Sequence, residues 1–222
     1  MKALTALLAL IGAVSAAASA TPLLAAVPDL WAYNDACEQA LRDADYLRAD
    51  YRCQAAADLA ARIRPGTPEQ ASALDHLAQL RADQGRFEEA IRLAEQASTI
   101  TESSFGPLDP MLVPVLLRQA LIEQICGDTA HAELLLLRAQ GILDLSAEPD
   151  DLEIAETQQR LGLLYYDLHR FDEAQQAFSQ VHSRLERYYG AGNVPETLLP
   201  SLLQRARAAA ARPDAIAPQS CH

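Results

Sequence analysis

The stretch QGRFEEAIRLAEQA, from Gln84 to Ala97, returns in altered form as HRFDEAQQAFSQV, from His169 to Val181. Arg86, Phe87, Glu89 and Ala90 are answered by Arg170, Phe171, Glu173 and Ala174, each 84 positions on. Half that distance carries more. Ala90, Ala132 and Ala174 stand 42 apart, as do Ala97, Ala139 and Val181, and the small residues Ala78, Ala120 and Gly162. The connectors keep step: Pro65, Pro107 and Pro149 share the period, and Phe105-Gly106 is answered by Tyr189-Gly190. Chance matches in an alanine-rich chain would not align prolines, aromatics and glycines together. A period of this length means that one supersecondary unit is copied, each copy burying its apolar face against the next.

Each unit reads as two helices. In TPEQASALDHLAQLRADQ, Thr67 stands as N-cap and Pro68 as first helical residue, with Glu69 in the first turn. Leu74, Leu77 and Leu80 form its apolar stripe, and Gly85 ends it. RFEEAIRLAEQASTI follows with Phe87, Ala90, Ile91, Ala94 and Ala97 on one face, and Gly106-Pro107 closes the unit. Units are expected at about 30 to 64, 67 to 105, 109 to 146 and 151 to 189, with a capping helix at about 195 to 211. The third unit departs from the pattern: it carries Gln119 where its neighbours have Leu77 and Leu161, and GDTAHA replaces GRFEEA, losing the aromatic. Pro114 and Pro200 fall inside expected helices, near enough to their starts to shift or kink them. EPDDLE, before the fourth unit, reads as a helix start, where acids meet the positive end of the dipole.

These residues resemble the tetratricopeptide repeat. Ala78, Ala90 and Ala97 supply the small residues that let two helices cross closely, and Leu74 and Phe87 the large apolar ones. The long unit and connectors such as FGPLDP and YGAGNVP are similar to the repeats of kinesin light chains. The resemblance implies an all-α fold, a right-handed α-solenoid of stacked antiparallel helix pairs.

The chain ends bear on localisation. Residues 1–20, MKALTALLALIGAVSAAASA, join Lys2 to an apolar run and an Ala18-Ser19-Ala20 exit, the form of a cleaved secretory signal peptide. The run from Ala3 to Val14 is shorter than the roughly 20 residues a membrane span needs. No stable membrane insertion is therefore expected after cleavage. Residues 21–29 read as a linker, 30–211 as the repeat array, and 212–222 as a tail without periodicity, expected to be disordered. Lys2 is the sole lysine, so the remaining chain sets 17 arginines against 30 carboxylates, a net charge of about −13. Such a surface repels phosphate backbones, which argues against nucleic acid as a partner. The arginine- and alanine-rich composition suits a bacterial protein, so the expected compartment is the periplasm or the exterior.

Cys37 and Cys53 reach facing positions at the first helix crossing if the turn between those helices has one extra residue. Two readings follow, a disulfide or a pair of buried thiols. Cys126 reads as a packed thiol and Cys221 as a tail thiol. The histidines show no HExxH pattern, there is no CxxC, and no acidic loop has calcium-binding spacing, so neither a metal site nor a cofactor is expected. No nucleophile elbow or phosphate-binding loop is present, and no catalytic residues are assigned.

The resemblance implies a binding groove lined by the first helix of each unit. The groove positions would be His76, Arg118 and Arg160, with Asn34 or Asp35 in the first unit. Gln79, Leu121, Leu163 and Tyr166 would stand beside them. Two arginines in one groove suggest a carboxylate-bearing partner, an acidic protein or peptide segment. The competing reading pairs Arg118 and Arg160 internally with Glu123, Glu156 or Asp167. Function is thus expected to be non-catalytic binding of a protein segment, with stacking through the terminal helices as the alternative. Oligomeric state is left open.

Overall fold

The computed structural model describes residues 29–190, Pro149 excepted. The expected signal peptide, the expected linker up to 28, the expected capping helix and the expected tail lie outside the described residues. Among the described residues, eight α-helices form four hairpins: α1 Leu30–Arg42 with α2 Tyr46–Ile63, α3 Pro68–Asp83 with α4 Phe87–Phe105, α5 Val113–Cys126 with α6 Thr129–Leu145, and α7 Asp151–Asp167 with α8 Phe171–Tyr189. The hairpins stack in chain order, α2 on α3, α4 on α5 and α6 on α7, giving an all-α solenoid of paired helices.

Local chemistry sets the boundaries. Asp29, Asp45, Asp128 and Asp150 each accept a backbone N–H in the first turn of the helix they precede. Thr67 holds the N-cap place before Pro68 but does not cap through its side chain: its hydroxyl donates to the Arg64 carbonyl at 2.9 Å. Pro114 is tolerated as the second residue of α5, after a 3-10 turn at Pro110–Leu112.

All four hairpins turn the same way. Ala44, Gly85, Gly127 and His169 occupy equivalent places with φ of 53°, 76°, 88° and 60°. The next residue's N–H returns to the helix in each case: Asp45 to Ala40, Arg86 to Arg81, Asp128 to Glu123 and Arg170 to Tyr165. The first turn has no extra residue. The whole first unit is displaced by one position instead, which puts Cys37 level with Ala78 and Asp35 level with His76.

The crossing within each hairpin is filled by one residue from each helix. The pairs are Cys37 and Cys53, Ala78 and Ala94, Ala120 and Leu136, and Gly162 and Phe178, each at most 1% exposed where a side chain is present. Cys37 and Cys53 are joined in a disulfide with Cα atoms 4.7 Å apart. Gly162 leaves room for the Phe178 ring: a Cβ there would lie 2.6 Å from its Cε1. Gln119, the polar departure in the third unit, is 4% exposed and accepts from Ser98 Oγ at 2.9 Å, so its burial is compensated. Arg81 is also buried, and its fork reaches Asp50, Gln54, Gln84 and Glu89, tying α2, α3 and α4 together.

A candidate groove on the inner wall

Helices α1, α3 and α5 form the inner wall, because α1 packs on α3 and α3 on α5 while no comparable contact links α2, α4, α6 and α8 to one another, and α7 joins the wall through the Gln124–Asp167 hydrogen bond to α5. Polar rungs join neighbouring inner helices. Asn34 on α1 donates from Nδ2 to the Glu69 carbonyl at 3.2 Å. Arg118 on α5 donates from Nε to Asp75 Oδ2 at 2.7 Å and from Nη1 to Gln79 Oε1 at 2.6 Å, both on α3. Gln124 donates to Asp167 Oδ2 at 2.9 Å, from α5 to α7.

These rungs alter the expected site. Asn34 is 3% exposed and sealed between α1 and α3, so Asp35, which is exposed, holds the first groove position instead. Arg118 is not bare, since Asp75 and Gln79 occupy two arms of its fork. Asp75 is buried, and burial pushes its pKa up against the pull of Arg118. His76 beside it is pushed down by burial, with Asp75 opposing. Asp75 Oδ1 and His76 Nδ1 have no protein partner among the described residues. Arg160 pairs within its own helix, with Glu156 Oε1 at 2.7 Å, and keeps 31% of its side chain exposed.

Three of the expected residues do meet. Leu121, Arg160 and Leu163 line an open depression of about 390 Å³ between α5 and α7, with Gln124, Ile125 and Asp167 around it and buried Ala120 and Leu136 below. Leu121 and Ile125 are 43% and 44% exposed. Tyr166 is not part of this lining: it turns edge-on to Phe171, with ring centroids 5.6 Å apart, and packs near Phe178. Ile125 is the residue that sequence reasoning overlooked. Its signal was the spacing of four from Leu121, which places both on one helical face. A larger open furrow, about 570 Å³, lies between α6 and α8 and is lined by polar and charged side chains alone, which leaves it without an apolar anchor.

A stack of helix hairpins, joined by polar rungs along one wall and carrying a shallow apolar depression, defines an all-α helical repeat solenoid. The comparisons agree with that class. The family described as Tetratricopeptide repeat matches residues 70–110, which spans the greater part of the second unit. Among solved structures, the chain is similar to BtubC (BKLC) from P. vanneervenii, with 17% identity, a TM-score of 0.63, and 84% of this chain and 81% of that one covered. It is also similar to a Podosopora anserina putative kinesin light chain with nearly identical TPR-like repeats: 19% identity, a TM-score of 0.62, and 84% and 97% covered. No curated protein matches the chain. Among the described residues no helix is long and apolar enough to cross a membrane.

Proposed function

We propose that this protein is a non-catalytic binding module of the bacterial cell envelope that docks a segment of another protein on its inner wall. Tetratricopeptide repeats generally mediate protein–protein interaction, and the fold is generally a scaffold rather than a catalyst. The observation that carries the reading is the depression between α5 and α7, where exposed Leu121 and Ile125 stand beside Leu163 under a charged rim. Exposed aliphatic side chains ringed by polar groups suit an apolar anchor on the partner. Arg160 gives the rim its charge preference. A carboxylate on the partner can replace Glu156, an exposed neighbour, at modest cost. Export to the envelope rests on the form of residues 1–20.

Arg118 takes a structural role in this reading. Removing it leaves Asp75 buried without its guanidinium, so Arg118→Ala lowers stability as well as any binding. The clean test uses Leu121→Asp and Arg160→Ala. A photoreactive residue at position 163, in the native host, is expected to capture one dominant partner. Each substitution is expected to weaken that partner's affinity by about tenfold or more. Unchanged affinity in the double variant overturns the groove.

One observation favours assembly through an end of the stack as a second reading. Trp31, Tyr46, Leu47 and Tyr51 in the first unit are 54%, 49%, 90% and 71% exposed. Light scattering across a concentration series separates the two: a constant monomer mass removes the assembly reading.

A further inference from the structure

The foot of each described hairpin, where the turn enters the second helix, carries charge: the first unit sets Asp45 against Arg48, and the third alone among the described units has no arginine in these slots. In the second unit the slots hold Arg81, Arg86 and Glu89, with Arg81 Nε on Glu89 at 3.1 Å and Arg86 also paired to Glu89. The fourth unit holds Tyr165, Arg170 and Glu173, with Arg170 on both Glu173 and Glu133. A guanidinium serves the carboxylate in each. The third unit presents Glu123, Asp128 and His131 in the same three places. The side chain of Glu123 is 6% exposed, and His131 Nδ1 lies 3.1 Å from its Oε1. No arginine among the described residues pairs with Glu123 or Asp128.

We propose that Glu123, Asp128 and His131 form a binding site for a divalent transition-metal ion of the zinc class. One ligand atom from each lies within 4.8 Å of the others. Zinc bonds of about 2.0–2.2 Å to nitrogen and carboxylate oxygen set ligand atoms roughly 3–3.5 Å apart, so Glu123 and His131 already stand at bonding separation. Asp128 is exposed and offers its second carboxylate oxygen to the ion while Oδ1 keeps the cap on the His131 N–H. Two carboxylates balance a divalent charge, and the imidazole selects zinc, cobalt or nickel over calcium or magnesium. Three protein donors leave an open position for water. The ion would clip α5 to α6 in the unit whose second helix begins with Thr129, where its counterparts have Tyr46, Phe87 and Phe171. It would supply the missing cation and a cross-link in place of the missing ring. No sequence motif announces the set, because the ligands come from two helices and the turn between them.

The test is titration of the full chain with Co²⁺, read by visible d–d absorption, and with Zn²⁺, read by calorimetry and thermal unfolding. One saturable site that raises the unfolding temperature is expected. His131→Ala abolishes it, and Asp128→Asn, which keeps the helix cap, weakens it by about tenfold or more. Both residues lie at the surface, and circular dichroism checks that each variant folds. A parallel Cys221→Ser/His222→Ala variant controls for chelation by the chain end and is expected to bind normally. Absence of saturable binding overturns the site, as does binding that survives His131→Ala or disappears with the tail substitutions.

Discussion

The first and fourth hairpins solve one packing problem in opposite ways. Both cross helices at the same slot pair, and both seal it. In the first, Cys37 and Cys53 fill the gap with a covalent bridge. In the fourth, Gly162 withdraws to a hydrogen and Phe178 fills the space with a ring that is 1% exposed. The middle units sit between these extremes, with Ala78 beside Ala94 and Ala120 beside Leu136. In the third and fourth units bulk shifts between the two helices, Ala120 with Leu136 and Gly162 with Phe178, whereas Ala78 and Ala94 are both small and Ile122 of the next unit packs beside them. A covalent solution also acts through the unfolded chain, by limiting its freedom, whereas a ring acts only by being buried.

Phe178→Ala attacks the ring and should have the largest effect, a loss of about 3–5 kcal/mol, because a rigid crossing cannot collapse around the void. Chemical denaturation of the full chain measures it. Replacing both cysteines by alanine attacks the bridge. The loop it closes spans 16 positions, for which chain entropy gives a loss of about 3 kcal/mol. If reduction leaves the denaturation midpoint unchanged, the bridge adds nothing beyond shape, and the contrast between the two hairpins disappears.

The comparison shows what the sequence could reveal. Ala78, Ala120 and Gly162 announced a close crossing because small residues recur there for a single steric reason. The hairpin turns were legible from Gly85 for the same kind of reason. The first unit was harder: its displacement by one residue is visible only once Ala44 takes the left-handed place of Gly85. That uncertainty left Asn34, which is sealed, beside Asp35 as the expected first groove residue. The rungs were less legible still. Arg118 and Asp75 are 43 positions apart and on different helices. Helical periodicity states which face a residue occupies, not whether the next helix brings it a partner. Leu121, Arg160 and Leu163 did come together, because each follows the inner-wall periodicity of its own helix.

Gly162→Ala tests the volume argument by the sign of its effect. In the native background the added methyl meets Phe178 at 2.6 Å, and the buried ring has nowhere to swing. Overpacking of about 1–3 kcal/mol then outweighs the roughly 1 kcal/mol that alanine gains over glycine within a helix. In a Phe178→Leu background the pair becomes Ala with Leu, as at Ala120 and Leu136. There the same substitution should stabilise. A double-mutant cycle reads the reversal directly, and additive effects would show that the two positions do not share one volume.

The smallest effect concerns the turns, and it sets the outer hairpins against the inner two. Gly85 and Gly127 adopt positive φ without a Cβ, whereas Ala44 and His169 hold 53° and 60° with one. An L-residue there costs about 1–2 kcal/mol, partly offset because glycine frees the unfolded chain. Ala44→Gly should therefore stabilise by up to about 1 kcal/mol, and Gly85→Ala should destabilise by a similar amount. His169→Gly should gain less, since its ring packs edge-on to Phe171 at 5.7 Å and the substitution removes that contact. Thermal unfolding of the three single variants ranks them. A gain at His169 equal to that at Ala44 would mean that the ring contact contributes nothing and that backbone strain alone separates the outer turns from the inner ones.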